Sequence, residues 1–223
     1  MRLAVIDASP VGGGPVTHAL TRAAGELPDA TIVKVRTFDL FGTVCSSCTA
    51  CVGNGRCTRH HAALDDAIAR LGATDALLVG CAGHLHARDQ RCQALLERLV
   101  GAFGHVETAR GLDAGPHAAS ARKRAAIVCG APPFMGVPTM LGLLPSGAAG
   151  VWKVLERADA RIVGCAAVSA RWAGPASRDR TGESARRLGR SLAAPATARR
   201  TPGRFVPDAQ RIAAALLSAA RGA

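Results

Sequence analysis

The sequence is poor in aromatic side chains, which limits both its core and its partners. Tyrosine is absent, and all aromatic residues together make up 3% of the 223 residues. A core must therefore be built from Ala, Val, Leu and Ile, and a hydrophobic content of 48% is enough for one well-packed domain with appendages. Binding of single-stranded nucleic acid uses aromatic side chains for base stacking, so their scarcity argues against a nucleic-acid partner.

Long apolar segments and a leader-like beginning are also missing. The longest apolar runs, such as Ala76–Cys81 and Ala125–Cys129, are far shorter than the about 20 residues of a membrane-spanning helix. The chain begins at once with the strand-like run Arg2–Ile6, which predicts no secretory leader. We therefore expect a cytoplasmic, reducing location without membrane association.

Acidic residues are outnumbered by basic ones, and the formal net charge is +12. Much of the excess lies in Arg171–Ala223, which contains eleven arginines and three acidic residues. A basic segment can bind nucleic acid or an anionic membrane surface, but no nucleic-acid motif accompanies this one. We interpret it as a solvated arginine-rich surface that favours encounter with anionic cofactors or an acidic electron-transfer partner.

Short apolar runs alternate with helical patterns along most of the chain. Strands are predicted at Leu3–Ile6, Thr31–Arg36, Asp75–Cys81, Ala125–Cys129 and Ala160–Val168. Helices are predicted at 16–27, 62–71, 88–103, up to 158 with a break near Pro145, at 182–192 and at 208–220, with a loop at Gly104–Arg124. Five strands alternating with helices predict an α/β fold whose parallel sheet is covered on both faces, although its strand order stays open. We expect one domain at 1–193, then an Arg/Pro linker and terminal helix at 194–223.

Three loops follow strands at the predicted carboxyl end of the sheet, where ligands bind in open α/β folds. The first runs from Asp7 through Gly12, Gly13 and Gly14 to a helix start, an arrangement that can cradle an anion. Its spacing is neither a dinucleotide-binding fingerprint nor a P-loop. Ser9 and Thr17 could donate to a phosphate or cap the helix.

Four cysteines lie within thirteen residues after the second strand. Cys45, Cys48, Cys51 and Cys57 have the spacing C-x2-C-x2-C-x5-C, and they are half of the eight cysteines in the chain. Four thiolates are the ligand set of an iron–sulfur cluster, and short x2 spacings are typical of bacterial ferredoxins. A structural zinc usually takes two separated pairs, and a disulfide framework suits small secreted proteins. Thiol redox chemistry and the absence of any cofactor also stay open.

These residues resemble the iron–sulfur flavoprotein branch of the NADPH-dependent FMN reductase family, which has a flavodoxin-like fold. The family opens with G-S-P-R-x-G-G-N-T after strand one, where this chain has 8-ASPVGGGPVT-17, with Val11 in the place of Arg. The branch carries a compact cysteine run after strand two, as at 45–57. A second family signature aligns with Gly80 through Arg98 and shares Gly80, Ala94, Leu96 and Arg98.

The resemblance implies a doubly wound five-stranded parallel sheet with FMN and a [4Fe-4S] cluster. It implies electron transfer from NAD(P)H or ferredoxin to a small-molecule or protein acceptor, and a site completed in a homo-oligomer. The implied FMN contacts are Ser9, Gly12, Gly13, Gly14, Thr17, Cys81, Ala82, Gly83, His84, Leu85, Gly130, Ala131 and Gly136, and the implied cluster ligands are Cys45, Cys48, Cys51 and Cys57.

Two further points bear on the chemistry of the site. His84 could donate a proton to a reduced substrate, or it could be an ordinary surface histidine. Cys81, Cys129 and Cys165 are interpreted as small buried hydrophobic residues, of which Cys81 lies nearest the predicted site. The alternatives to a cluster-bearing flavoprotein are a cluster-free NAD(P)H-dependent FMN or quinone reductase, and a non-enzymatic zinc or iron–sulfur binding module.

Overall fold

The structure is a computed structural model. It describes residues 1–9, 13–40, 62–81, 90–103, 105–108, 111–114, 123–131, 146–169 and 174–194. The predicted tail at 194–223 therefore lies outside the described residues, apart from Ala194. The last described helix is Gly174–Ala193.

Seven strands and five α-helices make up the described part of the chain. The strands are β1 Arg2–Ala8, β2 Thr31–Arg36, β3 Ala76–Cys81, β4 His105–Thr108, β5 Gly111–Ala114, β6 Arg124–Ala131 and β7 Arg161–Ser169. The helices are α1 Pro15–Gly25, α2 Ala62–Gly72, α3 Gln90–Phe103, α4 Ser146–Arg157 and α5 Gly174–Ala193, with a 3-10 turn at Thr37–Asp39.

The main sheet has five parallel strands in the order β2-β1-β3-β6-β7. This strand order is the flavodoxin-like one: β2 lies on one side of β1, and β3, β6 and β7 follow in sequence on its other side. The five predicted strands are confirmed, and the order that the sequence patterns left open is now given. All five strands run the same way, so their carboxyl ends meet at one side of the sheet, called here the carboxyl edge.

The sheet separates two apolar layers. On one face, α1 and α5 cover side chains of alternate strand positions such as Leu3, Leu78 and Val128. On the other face, α2, α3 and α4 pack over Ile6, Val79 and the neighbouring positions. Burial on both faces explains why the central strands read as continuous apolar runs rather than alternating ones.

Two glycines permit close helix packing on the α1 side. A Cβ at Gly80 would lie 2.7 Å from Val16 Cγ1 and 2.6 Å from Leu20 Cδ1, so the missing side chain lets α1 approach β3. A Cβ at Gly189 would lie 2.2 Å from the carbonyl oxygen of Ala23, so α5 rests almost directly on the α1 backbone. The absence of a side chain at Gly80 is thus explained by its contact with Val16 and Leu20 in α1.

A buried ion pair joins the two helices on the opposite face. Arg98 in α3 has a side chain that is 2% exposed, and its guanidinium donates to Asp65 in α2. Few arginines are buried so fully, and those that are need a charged partner. This pair ties α2 to α3 above the apolar layer.

Two sequence-based predictions are wrong in this structure. The segment Gly104–Arg124, predicted as a loop, contains the antiparallel pair β4–β5, in which Thr108 and Gly111 are register partners. The alternation in H-V-E-T and G-L-D-A fits this strand pair, but it extends over only four residues in each strand. The last described helix begins at Gly174 rather than at Gly182, because Pro175 is tolerated in a first turn and Gly182 lies buried inside the helix against Arg22.

Among the residues that the structure describes, no helix is both long enough and apolar enough to cross a membrane.

Candidate functional site

The carboxyl edge brings together the ends of three central strands. Ala8 at the end of β1 is the register partner of Cys81 at the end of β3, and Cys81 is the partner of Cys129 in β6. Gly130 and Ala131 complete β6 beyond this row. The ends of the three strands that precede the predicted ligand loops therefore lie side by side at this edge.

A hydrogen-bonded network of three side chains lies at the end of β1. The carboxylate of Asp7 accepts from the backbone N–H of Ser9 at 2.9 Å and from the Ser9 hydroxyl at 2.5 Å. Its second oxygen accepts from the Thr17 hydroxyl at 2.8 Å, and the hydroxyl oxygens of Ser9 and Thr17 lie 2.9 Å apart. Asp7 is 8% exposed, and Thr17 is in the first turn of α1, so the network ties the strand end to the helix start.

The proton count of this network limits what it can offer a ligand. Each hydroxyl has one proton, and three contacts join the hydroxyl oxygens of Ser9 and Thr17 to each other and to Asp7. When each hydroxyl donates to Asp7 or to the other hydroxyl, both protons are used inside the network. In that arrangement, Ser9 or Thr17 could donate its hydroxyl proton to a phosphate only if one hydrogen bond of the network broke.

The backbone at the start of α1 offers different donors. Gly14 is the N-cap and has no side chain with which to cap the helix, and Pro15 has no N–H. The first intrahelical bond of this turn is donated by His18 N to Gly14 O at 3.0 Å. The N–H groups of Val16 and Thr17 therefore point out of the helix end, where the helix dipole also favours an anion.

Gly13 shapes the approach to this helix end. Its φ is +82°, in the left-handed region that favours glycine, and nothing lies within 4 Å of the position of a Cβ. Position 13 therefore favours glycine for its backbone conformation. A β-carbon would strain the backbone there, although there is space for it.

The donor set at this edge fits the phosphate of FMN through backbone groups. Two outward N–H groups at a helix N-terminus, preceded by glycines, form the arrangement that binds phosphate in many α/β proteins. The carboxylate of Asp7 adds a negative charge nearby, so these side chains weaken rather than supply anion binding.

Several predicted site residues lie outside the described residues. They are the four cysteines Cys45, Cys48, Cys51 and Cys57 and the flavin-loop residues Gly12, Ala82, Gly83, His84, Leu85 and Gly136. Among the described residues, no group of three or more His, Cys, Asp or Glu side chains could hold a metal ion. The cluster ligands and the role of His84 therefore stay predictions.

Asp7 is the site residue that sequence reasoning missed. The signal was present, since an acidic residue directly at the end of a buried strand is rarely buried unless it is paired. Its two hydroxyl partners are Ser9 and Thr17, for which the sequence left phosphate donation and helix capping open.

Comparison with known proteins gives likeness in structure only. The sequence matches no protein-family profile and no curated protein. Among solved structures, an NAD(P)H:quinone oxidoreductase from Methanothermobacter marburgensis matches with a TM-score of 0.64 and 14% identity, over 86% of this chain and 98% of that one. The fold is flavodoxin-like.

Other structures with this fold match over similar lengths. An azoreductase from Bacillus anthracis str. Sterne has a TM-score of 0.55 and 10% identity, covering 87% of this chain and 100% of that one. An NADH:FMN oxidoreductase in its apo form has a TM-score of 0.55 and 14% identity, covering 87% and 91%. The likeness covers 86–87% of this chain in these three structures and confirms the predicted α/β architecture.

Proposed function

We propose that the chain is an NAD(P)H-dependent oxidoreductase that binds FMN at the carboxyl edge and reduces a small molecule of the quinone type. The observation that carries the proposal is the uncapped start of α1, whose outward N–H groups lie at the edge where ligands bind in this fold. Structural neighbours named as an NAD(P)H:quinone oxidoreductase, an azoreductase and an NADH:FMN oxidoreductase support the same chemistry.

The roles of the described residues follow from their places. The backbone N–H groups of Val16 and Thr17 would hold the phosphate, and Gly13 would let the loop reach it. The ends of β3 and β6, at Cys81 and Gly130, would lie beside the ring system. FMN, when bound, supplies the chemistry of accepting a hydride and passing electrons on. His84 as a proton donor and a site shared in a homo-oligomer are finer parts of the proposal.

A [4Fe-4S] cluster held by Cys45, Cys48, Cys51 and Cys57 is a further part of the proposal, supported by the cysteine spacing. The neighbours' names favour a reductase without it, so a cluster-free enzyme is the leading form. Iron and acid-labile sulfide, measured after anaerobic purification, separate the two forms.

The expected ligand preference follows from the donor set. FMN should bind at least about 100-fold more tightly than riboflavin, because only FMN has the phosphate that the start of α1 can hold, and charge-assisted hydrogen bonds contribute about 1.5–3 kcal/mol each. Equilibrium titration of the purified chain with each flavin measures the ratio. Equal affinities would contradict phosphate binding at this helix.

The variant Asp7→Asn is expected to strengthen phosphate binding at the start of α1. The amide removes a negative charge and donates to a hydroxyl oxygen, so a hydroxyl proton of Ser9 or Thr17 becomes available for the phosphate. FMN affinity should rise about tenfold, or about 1.4 kcal/mol, with riboflavin affinity unchanged. Asp29→Asn, the same change on an exposed residue beyond the other end of α1, is the matched control and should alter neither affinity.

A further inference from the structure

Two cysteines lie side by side at the carboxyl edge. Cys81 of β3 and Cys129 of β6 are register partners in neighbouring parallel strands, and both belong to the apolar layer beneath α3 and α4. Neighbouring strands are about 4.8 Å apart, and a disulfide needs Cα atoms about 4.4–6.8 Å apart. The backbone therefore already holds the pair at a separation that a disulfide can bridge.

The pKa values of the two thiols depend on each other and on the start of a helix. Cys81 and the backbone N–H of Ala148 both act to lower the pKa of the Cys129 thiol. Ala148 is the third residue of α4, so its N–H is one that the helix itself leaves without an acceptor. As a thiol, Cys129 can donate to Gly130 O at 3.5 Å.

These contacts make the two thiols unequal. The hydrogen bond from Cys81 and the Ala148 N–H hold the pKa of the Cys129 thiol below its usual value, although burial acts the other way. The hydrogen bond with Cys129 and burial raise the pKa of the Cys81 thiol. A thiolate is the reactive form of cysteine, and a helix N-terminus is a typical place for one.

We propose that Cys81 and Cys129 form a redox-active dithiol that hydrogen peroxide oxidises to a disulfide. Cys129 is the attacking thiolate and Cys81 the resolving thiol, and the product links β3 to β6 at the edge of the FMN site. The proposal concerns thiol chemistry alone and does not depend on flavin binding.

The reaction balances with one peroxide. The Cys129 thiolate attacks one peroxide oxygen, the O–O bond breaks, and hydroxide leaves and takes a proton to become water, which gives a sulfenic acid. The Cys81 sulfur then attacks the Cys129 sulfur and displaces the hydroxyl, which leaves as water with the Cys81 proton. The two thiols lose two protons and two electrons, which the peroxide takes up to become two waters.

Burial selects the class of oxidant. Cys129 is 0% exposed and Cys81 is 5% exposed, so a bulky disulfide cannot reach either sulfur without opening the fold. Hydrogen peroxide is small and uncharged, as a reagent for this layer must be. Cys165 is the natural comparison, because burial raises its pKa to about 12 and it stays a thiol under the same conditions.

Trypsin cleavage separates the relevant cysteines onto different peptides. Cys81 lies alone on 71–88, Cys129 on 125–153, Cys92 on 92–98 and Cys165 on 162–171, while Cys45, Cys48 and Cys51 share 37–56. A linked peptide therefore identifies its partners by mass. The full reduced chain is exposed to peroxide, alkylated under denaturing conditions, digested and analysed by mass spectrometry.

The expected result is a linked 71–88/125–153 peptide that lacks two hydrogens, with loss of alkylation at Cys81 and Cys129. Cys165→Ser should leave that peptide unchanged, and Cys129→Ser should abolish it. In Cys81→Ser the sulfenic acid should persist on Cys129 and react with dimedone that is added together with the denaturant after the peroxide is removed, which keeps the test valid without a disulfide.

Three results would overturn the proposal. The first is that Cys81 and Cys129 stay alkylated while the cysteines of 37–56 are oxidised. The second is a link from Cys129 to Cys165 or Cys92 instead of Cys81. The third is that dimedone labels Cys81 in a folded Cys129→Ser chain as fully as it labels Cys129 in Cys81→Ser, since the two thiols would then be equivalent.

Discussion

Replacing Asp65 by alanine is expected to lower the free energy of unfolding by about 3–5 kcal/mol, because it removes the carboxylate that pairs with the buried charge of Arg98. Arg98 has a side chain that is only 2% exposed, whereas the side chain of Asp65 is 25% exposed. The ion pair joins α2 to α3, and both helices cover the sheet face that contains Cys81 and Cys129. Urea denaturation followed by circular dichroism measures the loss.

The neighbouring residue provides the matched control. Asp66 also pairs with an arginine, Arg70, at 3.0 Å and one helical turn away, but the two side chains are 67% and 48% exposed. Exposed pairs of this kind contribute about 0.3–0.5 kcal/mol, so Asp66→Ala should have a small effect. Equal losses for the two variants would show that the burial of Arg98 is not what makes its ion pair matter.

Gly189→Ala is expected to destabilise the chain by about 3 kcal/mol, at the upper end of the range for overpacking. The added Cβ would lie 2.2 Å from the carbonyl oxygen of Ala23 and 2.8 Å from Glu26 Cβ. A backbone carbonyl in the last turns of α1 cannot rotate aside, so α1 and α5 must separate. Denaturant unfolding gives the loss, and FMN titration should show weaker binding because α1 also presents the phosphate donors.

Gly25→Ala is the control within the same helix pair. Gly25 is the last residue of α1, and nothing lies within 4 Å of the position of its Cβ. Alanine is the better helix former by about 0.5–1 kcal/mol in a helix interior, so this variant should be as stable as the original or slightly more stable. If Gly189→Ala were equally harmless, the close approach of α5 to α1 would be contradicted.

The sequence predicted the strands whose residue composition alone reflects burial on both faces of the sheet. The runs at Leu3–Ile6, Asp75–Cys81 and Ala125–Cys129 are buried on both sides, so their composition alone predicts parallel strands. The strand order was not available from these runs, because pairing depends on contacts between distant segments. The β4–β5 hairpin was missed, since four-residue strands carry little pattern.

The sequence indicated the backbone of the proposed anion cradle but not the side-chain contacts around it. Glycines at 13 and 14 before a helix indicated the anion cradle, and the structure gives Gly13 a positive φ and Gly14 the N-cap position. The use of the Ser9 and Thr17 protons by Asp7 depends on distances across a turn that spacing does not reveal. The same holds for the pairing of Cys81 with Cys129, which are 48 positions apart and meet only through the sheet register.

The most direct test is the visible absorption spectrum of the FMN-loaded chain before and after NADPH is added without oxygen. We expect the absorption band of the oxidised flavin to disappear on addition of one equivalent of NADPH and to return when a quinone is added. A chain that takes up no FMN, or one whose bound FMN stays oxidised in excess NADH and NADPH, would contradict the proposed flavin reductase.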